Sequence, residues 1–383
     1  EEAPDPSRIS ISEVSDQTLV TIQLGYGLVQ LADDRQGAPL VARLTGLRKQ
    51  MCQAFGFVVP QFRIADSFDI APEQYRIMLG GAPVGSGTLR TGKLLAIDTG
   101  EVLDAQVLQG EATKDPSFGC DAKWIDAGSR DLAVAEGYLV VDPESVIATQ
   151  VHQLLAGRAA ELLGPDQVRE LLDLLRERHS QLIETITPQP LSLAAITAVL
   201  KALLADGISL THSVRVFSSL SQAAQRTADP AQIVELMRAD LGTLLVGQIC
   251  GPDERLPVLT LAAQLEEMVV GGMQDPTTGE IVIEPDLARS IGERIAALLQ
   301  SRPQGALTPA LVVQPRARRA LAGLLKLRAP NMLVLSINEL PAAQPIEVVA
   351  VIGEEAQPAA NEPRQLPPPE HEADMRTPEA LAA

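Results

Sequence analysis

Thirteen residues, Thr113-Lys-Asp-Pro-Ser-Phe-Gly-Cys-Asp-Ala-Lys-Trp-Ile125, gather a carboxylate, an aromatic ring and the chain's single tryptophan into one stretch. Asp115-Pro116 starts a turn, because proline fixes φ and the acidic side chain accepts hydrogen bonds from backbone N–H groups ahead of it. Gly119 then permits a tight or left-handed bend. Phe118 and Trp124 are costly to leave in water, so each calls for a core or a partner's pocket. Histidine, paired cysteine and a lysine–serine pair with a base are all missing nearby. The stretch therefore reads as a docking surface and not as a reaction centre.

Other candidates for chemistry are weaker. Gly87-Thr-Leu-Arg-Thr-Gly-Lys93 meets the spacing of a nucleotide phosphate loop except at its last position, where Leu94 replaces the metal-binding hydroxyl. The following Leu94-Leu-Ala-Ile-Asp98 has a strand pattern, although phosphate is held at a helix N-terminus. A nucleotide-binding enzyme would have to use this defective Gly87–Lys93 loop; a hairpin with a glycine-rich turn over Gly80–Gly87 accounts for it more simply. His152, His179 and His212 lie on helical patterns without a second ligand at i+3 or i+4, and His371 stands far from them. Cys52, Cys120 and Cys250 are odd in number and widely spaced, as reduced structural cysteines are. No metal or cofactor is expected, and no Gly-x-Ser-x-Gly elbow occurs.

The elements that must position these residues follow from periodicity. Ile22 to Leu31 suggests short strands around Gly25-Tyr-Gly27, and Leu40, Leu44, Leu47, Met51 and Ala54 recur at helical spacing up to Gly56. Extended segments are expected at Phe57–Val59, Phe62–Ile64 and Tyr75–Leu79. After a polar excursion over Gly100–Gly110, Asp126 is placed to cap a short helix, and Tyr138–Val141 reads as a strand. Asp142-Pro143-Glu144 is a strong helix start, predicting a helix to about Leu163 with Val146, Thr149 and His152 at threefold spacing. Four helices follow, at Pro165–His179, Leu193–Leu204, Thr211–Gln225 and Pro230–Leu241. Then strands (Leu256–Leu261, Glu280–Glu284, Leu311–Val313, Met332–Leu335, Ile346–Ile352) alternate with helices (Pro285–Ser301, Pro315–Leu327).

At 383 residues the chain exceeds one ordinary core. Aromatics make up only 3%, so the cores must be aliphatic. A net charge of −18 repels phosphate backbones and anionic lipid, so nucleic acid is not an expected partner. No run of eighteen apolar residues occurs, and the start Glu1-Glu-Ala-Pro-Asp-Pro6 lacks the character of a signal peptide.

Asp115-Pro-Ser-Phe-Gly119, Ala122-Lys-Trp-Ile125 and Gly137-Tyr-Leu-Val-Val-Asp-Pro-Glu-Ser-Val-Ile-Ala-Thr149 together resemble the cytoplasmic domain of the flagellar type III export-gate (FlhA) family. Leu24-Gly-Tyr-Gly-Leu28, Leu44-Thr-Gly-Leu-Arg-Lys49, Phe55-Gly-Phe-Val-Val-Pro60, Tyr75-Arg-Ile-Met-Leu79, Ala159-Ala-Glu-Leu-Leu-Gly164 and Leu333-Val-Leu-Ser336 extend the likeness in the same order. The resemblance implies an α+β fold in several subdomains: a linker at 1–20, a mixed α/β first unit (21–93 with 143–162), an inserted small α/β unit (94–142), a helical unit (163–242) and a C-terminal α/β unit (243–353). Residues 354–383, Pro-rich with seven acids against two arginines, are expected to be a disordered tail.

It further implies a non-catalytic platform beneath a membrane gate, on the cytoplasmic face of the bacterial inner membrane, with a transmembrane half outside this chain. Copies would form a nonameric ring, contact components of the export ATPase complex, and receive flagellar export chaperones carrying filament-type substrates. Their shallow dimple would use Asp115, Phe118 and Thr149, with Phe118 as apolar anchor and the other two as polar contacts at its rim. Hinge motion of the second unit against the fourth would regulate docking. Cys120, Lys123, Gln150 and Thr211-His-Ser-Val-Arg215 depart from the family pattern. The injectisome export gates share the architecture and are the nearest rival; a general peptide-binding module is a third reading.

Overall fold

The computed structural model describes residues 18–353 apart from 34, 36, 276–280, 304, 327, 330 and 331. All but the last three residues of the expected linker, and the whole of the expected tail, lie outside the described residues. The chain divides into two compact units, one of residues up to Pro252 with Asn338–Gln344, the other of Asp253–Ile337 with the residues from Pro345 onward.

In the first unit, β1 (Val20–Leu24), α1 (Pro39–Phe55), β2 (Phe62–Asp66), β3 (Gln74–Leu79) and β4 (Ala82–Thr88) open the chain. The strands form one sheet in the order β2-β1-β3-β4, with β1 parallel to β2 and the other pairs antiparallel. Strand β3 alternates, placing Tyr75, Ile77 and Leu79 inside. Val29–Ala32, expected as strand, is a 3₁₀ turn; Leu28 and Leu31 are buried from it without pairing. Helix α1 buries Leu40, Leu44, Leu47 and Met51 of the anticipated stripe, while Ala54 in its last turn is exposed. The glycine-rich run divides in two: Gly80 and Gly81, both at positive φ, make the hairpin turn, while Gly85 and Gly87 lie within β4.

Next come β5 (Lys93–Ile97), β6 (Glu111–Lys114), β7 (Asp121–Asp126), α2 (Arg130–Ala135) and β8 (Leu139–Val141). They form a second sheet, β6-β7-β5-β8, over a small core of Ala96, Leu108, Ile125, Ala133 and Tyr138. Asp126 makes no capping hydrogen bond; it sits 3.9 Å from the Lys93 ammonium. Helix α3 (Pro143–Ala156) begins as the sequence requires, the Asp142 carboxylate accepting from the Ser145 N–H at 3.0 Å. It ends at Gly157, earlier than expected, and a short α4 (Ala159–Leu162) follows.

Helices α5 (Pro165–Glu184), α6 (Leu193–Ala205), α7 (Ser213–Ala224), α8 (Pro230–Asp240) and α9 (Gly242–Val246) complete the helical region, with Ser192 and Asp229 capping α6 and α8. Arg238, 1% exposed, is clasped there: Nε and Nη2 donate to the two Glu339 carboxylate oxygens at 3.1 and 2.8 Å, and Nη1 to Asp206 at 2.8 Å. Residues 338–344, expected within the C-terminal unit, thus belong to the first one.

The second unit holds β9 (Leu256–Leu261), α10 (Ala263–Val270), the short β10 (Met273–Gln274) and β11 (Ile281–Val282), α11 (Pro285–Gln300), β12 (Ala310–Val313), α12 (Pro315–Leu325), β13 (Val334–Ser336) and β14 (Ile346–Ile352). Helix α10 was not anticipated: Ala262 gives no side-chain cap to announce it. Strands β13-β12-β9-β14 make an all-parallel sheet covered by apolar helix faces, including Val269, Ile291, Ile295, Leu321 and Leu325. Strand order reverses between β9 and β14, the point where such sheets usually bind ligands beyond their carboxyl ends. At that edge Gly353 packs closely against the start of α10: a Cβ on it would lie 3.0 Å from Leu265 and 3.2 Å from Ala262.

Candidate docking site

Strands β6 and β7 pair antiparallel with Lys114 opposite Asp121, leaving Asp115–Cys120 as the connection. Its backbone closes on itself, Asp115 N–H donating to Cys120 O and Gly119 N–H to Asp115 O, both at 2.8 Å. The Asp115 Oδ2 accepts from Ser117 N–H at 3.1 Å and Phe118 N–H at 2.7 Å. Pro116 has no N–H to satisfy, and Gly119 takes φ +73° where a side chain would be strained. Outside the turn, Lys114 and Asp121 pair at 2.9 Å. With its backbone held on both sides, Phe118 stands 67% exposed, while Trp124 is packed inside at 4%.

The turn is tied to α3 by one side chain. Gln150 donates from Nε2 to Pro116 O at 3.1 Å and to Ser86 O at 3.3 Å, and its Oε1 accepts from the Tyr75 hydroxyl at 2.5 Å. Burial, with the nearby Asp115 charge adding, pushes the Tyr75 phenol well above its ordinary pKa, so it remains a donor. Gly87 makes room for that ring, since a Cβ there would fall 2.6 Å from the Tyr75 oxygen. Gly87 is thus a packing requirement of Tyr75, and Lys93 begins strand β5 where a phosphate loop needs a helix.

Thr149, one residue before Gln150, is exposed on another side of α3. It lines an open groove of ≈ 680 Å³ between α1 and α3, together with Arg43, Gly46, Gln50, Glu144 and His152. The buried face of α3 is Val146, Ile147, Gln150, Val151 and Leu155, so the expected Val146–Thr149–His152 stripe is not its core face. Of the three residues singled out from sequence, Phe118 and Thr149 are at the surface, whereas Asp115 is 3% exposed and its Oδ2 is engaged by the turn. Gln150 and Tyr75, which join turn to helix, carry no local sequence pattern; the departure of Gln150 from the family residue was the one signal. At the base of this second sheet, Arg90 bridges Glu73 and Glu111, each at 2.5 Å, and holds the Glu111 carboxyl below its ordinary pKa. Among the described residues no group of three or more His, Cys, Asp or Glu is arranged to hold a metal ion.

Comparison with known proteins agrees with this architecture. The flagellar biosynthesis protein FlhA of Bacillus subtilis is 33% identical over 334 residues, which is 87% of this chain and 49% of that protein. The chain thus spans about half the length of the relative it matches. Among solved structures, the Chlamydia pneumoniae CdsV and CdsO protein complex superposes with a TM-score of 0.75 at 20% identity, covering 91% of this chain and all of that one. The nonameric EPEC SctV-C superposes with a TM-score of 0.66 at 16% identity, covering 88% of this chain and 100% of the other. The FHIPEP family profile matches residues 1–344, and the chain belongs to the FHIPEP family.

Proposed function

We propose that this chain is the docking platform of the flagellar type III protein export gate, a non-catalytic part that binds export chaperone–substrate complexes through the Phe118 turn and the neighbouring surface of α3. The exposed Phe118 ring carries this reading. A 67% exposed aromatic on a turn whose backbone is held by hydrogen bonds on both sides of it is poorly explained by folding alone, and it is pre-positioned as an anchor. Buried in a partner's pocket, such an anchor contributes roughly 2 kcal/mol or more. Asp115 serves the site through the turn it holds, and Thr149 offers a hydroxyl in the groove between α1 and α3.

The same reading has copies assembling into a ring, for which the nonameric SctV-C gives the precedent, and contacting components of the export ATPase complex. No helix among the described residues is long and apolar enough to cross a membrane. Attachment to the cytoplasmic face of the inner membrane is assigned to the part of its relatives that this chain does not span. The injectisome export gate is the second reading, favoured by the fold likeness to CdsV and SctV-C; the higher identity to the flagellar relative favours the first.

Pulldown of substrate-loaded flagellar chaperones by this chain and by Asp115→Ala tests the proposal. Capture by the wild type and reduced capture by the variant are expected. Equal capture by both removes the site assignment, and capture by neither removes the flagellar reading.

A further inference from the structure

In a chain of net charge −18, the run from Arg294 to Asn338 contains no Asp or Glu and seven cations: Arg294, Arg302, Arg316, Arg318, Arg319, Lys326 and Arg328. Helix α12 sorts them. Ala317, Leu321 and Leu325 face the core and Arg318 is buried with them, while Arg316, Arg319 and Lys326 share the exposed face. At i, i+3 and i+10 they fall within roughly 80° of arc and about 15 Å of helix length. Among the described residues Arg294, Arg316, Lys326 and Arg328 form no ion pair. The helix N-terminus beside this stripe is already engaged, Glu266 accepting from the Gln314 backbone N–H at 2.6 Å and from Gln314 Nε2 at 3.1 Å.

The parallel sheet determines what lies nearest. Thr260 pairs with Val312 and Leu261 with Ile352, so β9, β12 and β14 end at the same edge. Helix α12 starts from that edge at Pro315, and the chain leaves β14 there at Gly353. Strands β12 and β14 are two inter-strand spacings apart, about 10 Å. The residues that follow immediately are Glu354 and Glu355, the first of seven acids against two arginines in 354–383. Thirty residues reach up to about 100 Å when extended, several times the length of the stripe.

We propose that segment 354–383 docks on the Arg316–Arg319–Lys326 face of α12 in its own chain, as an acidic strap over a basic helix. Charge complementarity and the shared departure edge select this occupant over other acidic chains. Each exposed pair is weak by itself. A short tether offsets this by holding the acids at an effective concentration on the order of millimolar.

Zero-length carbodiimide crosslinking of the full chain reads this contact directly, because Lys326 is the only lysine between Lys201 and Ala383. The expected product joins Lys326 to a carboxylate of 354–383. In an equal mixture of ¹⁴N- and ¹⁵N-labelled protein, both halves of that product come from one isotopic chain. The yield should fall at least about fivefold in roughly 1 M salt, where the screening length is near 3 Å, and likewise in Arg316→Glu. A variant outside the described fold, Glu354→Gln with Glu355→Gln and Glu362→Gln, should lower it without altering the circular dichroism spectrum. Products of mixed isotope alone would overturn the proposal in favour of a second copy's segment. Absence of the product while Lys326 still accepts an acetyl group from an active ester would overturn it altogether.

Discussion

The side chains of Gln150 and Arg238 are both buried, and each bonds to partners far away in sequence, but one is neutral and the other charged. Arg238 is clasped by Asp206 and Glu339, inside the helical region. Gln150 joins Tyr75, Ser86 and Pro116, and the last of these belongs to the turn that holds Phe118 out. A buried charge is costly to strand, so the Arg238 clasp governs whether the helical region stays closed. An amide link is cheaper and directional, and it governs where an exposed ring sits. Fold and site are therefore maintained by separable contacts.

If that separation is real, substitutions should divide accordingly. The largest effect is expected for Arg238→Ala, which leaves Glu339 buried without its bidentate partner and should cost about 3–5 kcal/mol in urea unfolding. Chaperone binding by the folded fraction should persist. Gln150→Leu comes next: the Tyr75 hydroxyl loses its acceptor, for a loss of about 1–3 kcal/mol. It should also speed amide exchange at Ser117 and Phe118, a readout that Arg238→Ala should leave unchanged.

Asp115→Ala removes the acceptor of two turn N–H groups and should cost about 1–2 kcal/mol, with Asp115→Asn restoring part of it. The smallest effect concerns pH. Arg90 lowers the Glu111 pKa from its ordinary 4.5, so this pair contributes stability above that value and loses it as pH falls through the lower folded one. Both groups are partly exposed, so the effect is modest and salt-sensitive. The melting-temperature difference between wild type and Arg90→Gln should close on acidification below 4.5 and not above it.

How much of this was legible depends on the range of the contacts. Asp142-Pro143-Glu144 announces α3 because a cap, a proline and an acid act within one turn. Asp115, Pro116 and Gly119 likewise state their own turn, and the α1 stripe states its own face. The role of Gln150 was not readable, since its partners lie 34, 64 and 75 residues away and only the folded sheet assembles them. The role of Gly87 was hidden for the same reason: its spacing to Lys93 imitates a phosphate loop, while its neighbour is Tyr75 across the β3–β4 pair. The Asp115 carboxylate was expected at the rim of a dimple, and the turn it stabilises instead draws it inside. Residues 338–344 belong to the first unit through Glu339, whose partner Arg238 is 101 residues distant.

Calorimetric titration of a substrate-loaded flagellar export chaperone into the wild type and Phe118→Ala tests the central claim most directly. A ring that is 67% exposed contributes little to folding, so the melting temperature should be unchanged, while affinity should fall by about 30-fold, the equivalent of roughly 2 kcal/mol. Equal affinity in the two proteins would contradict the account.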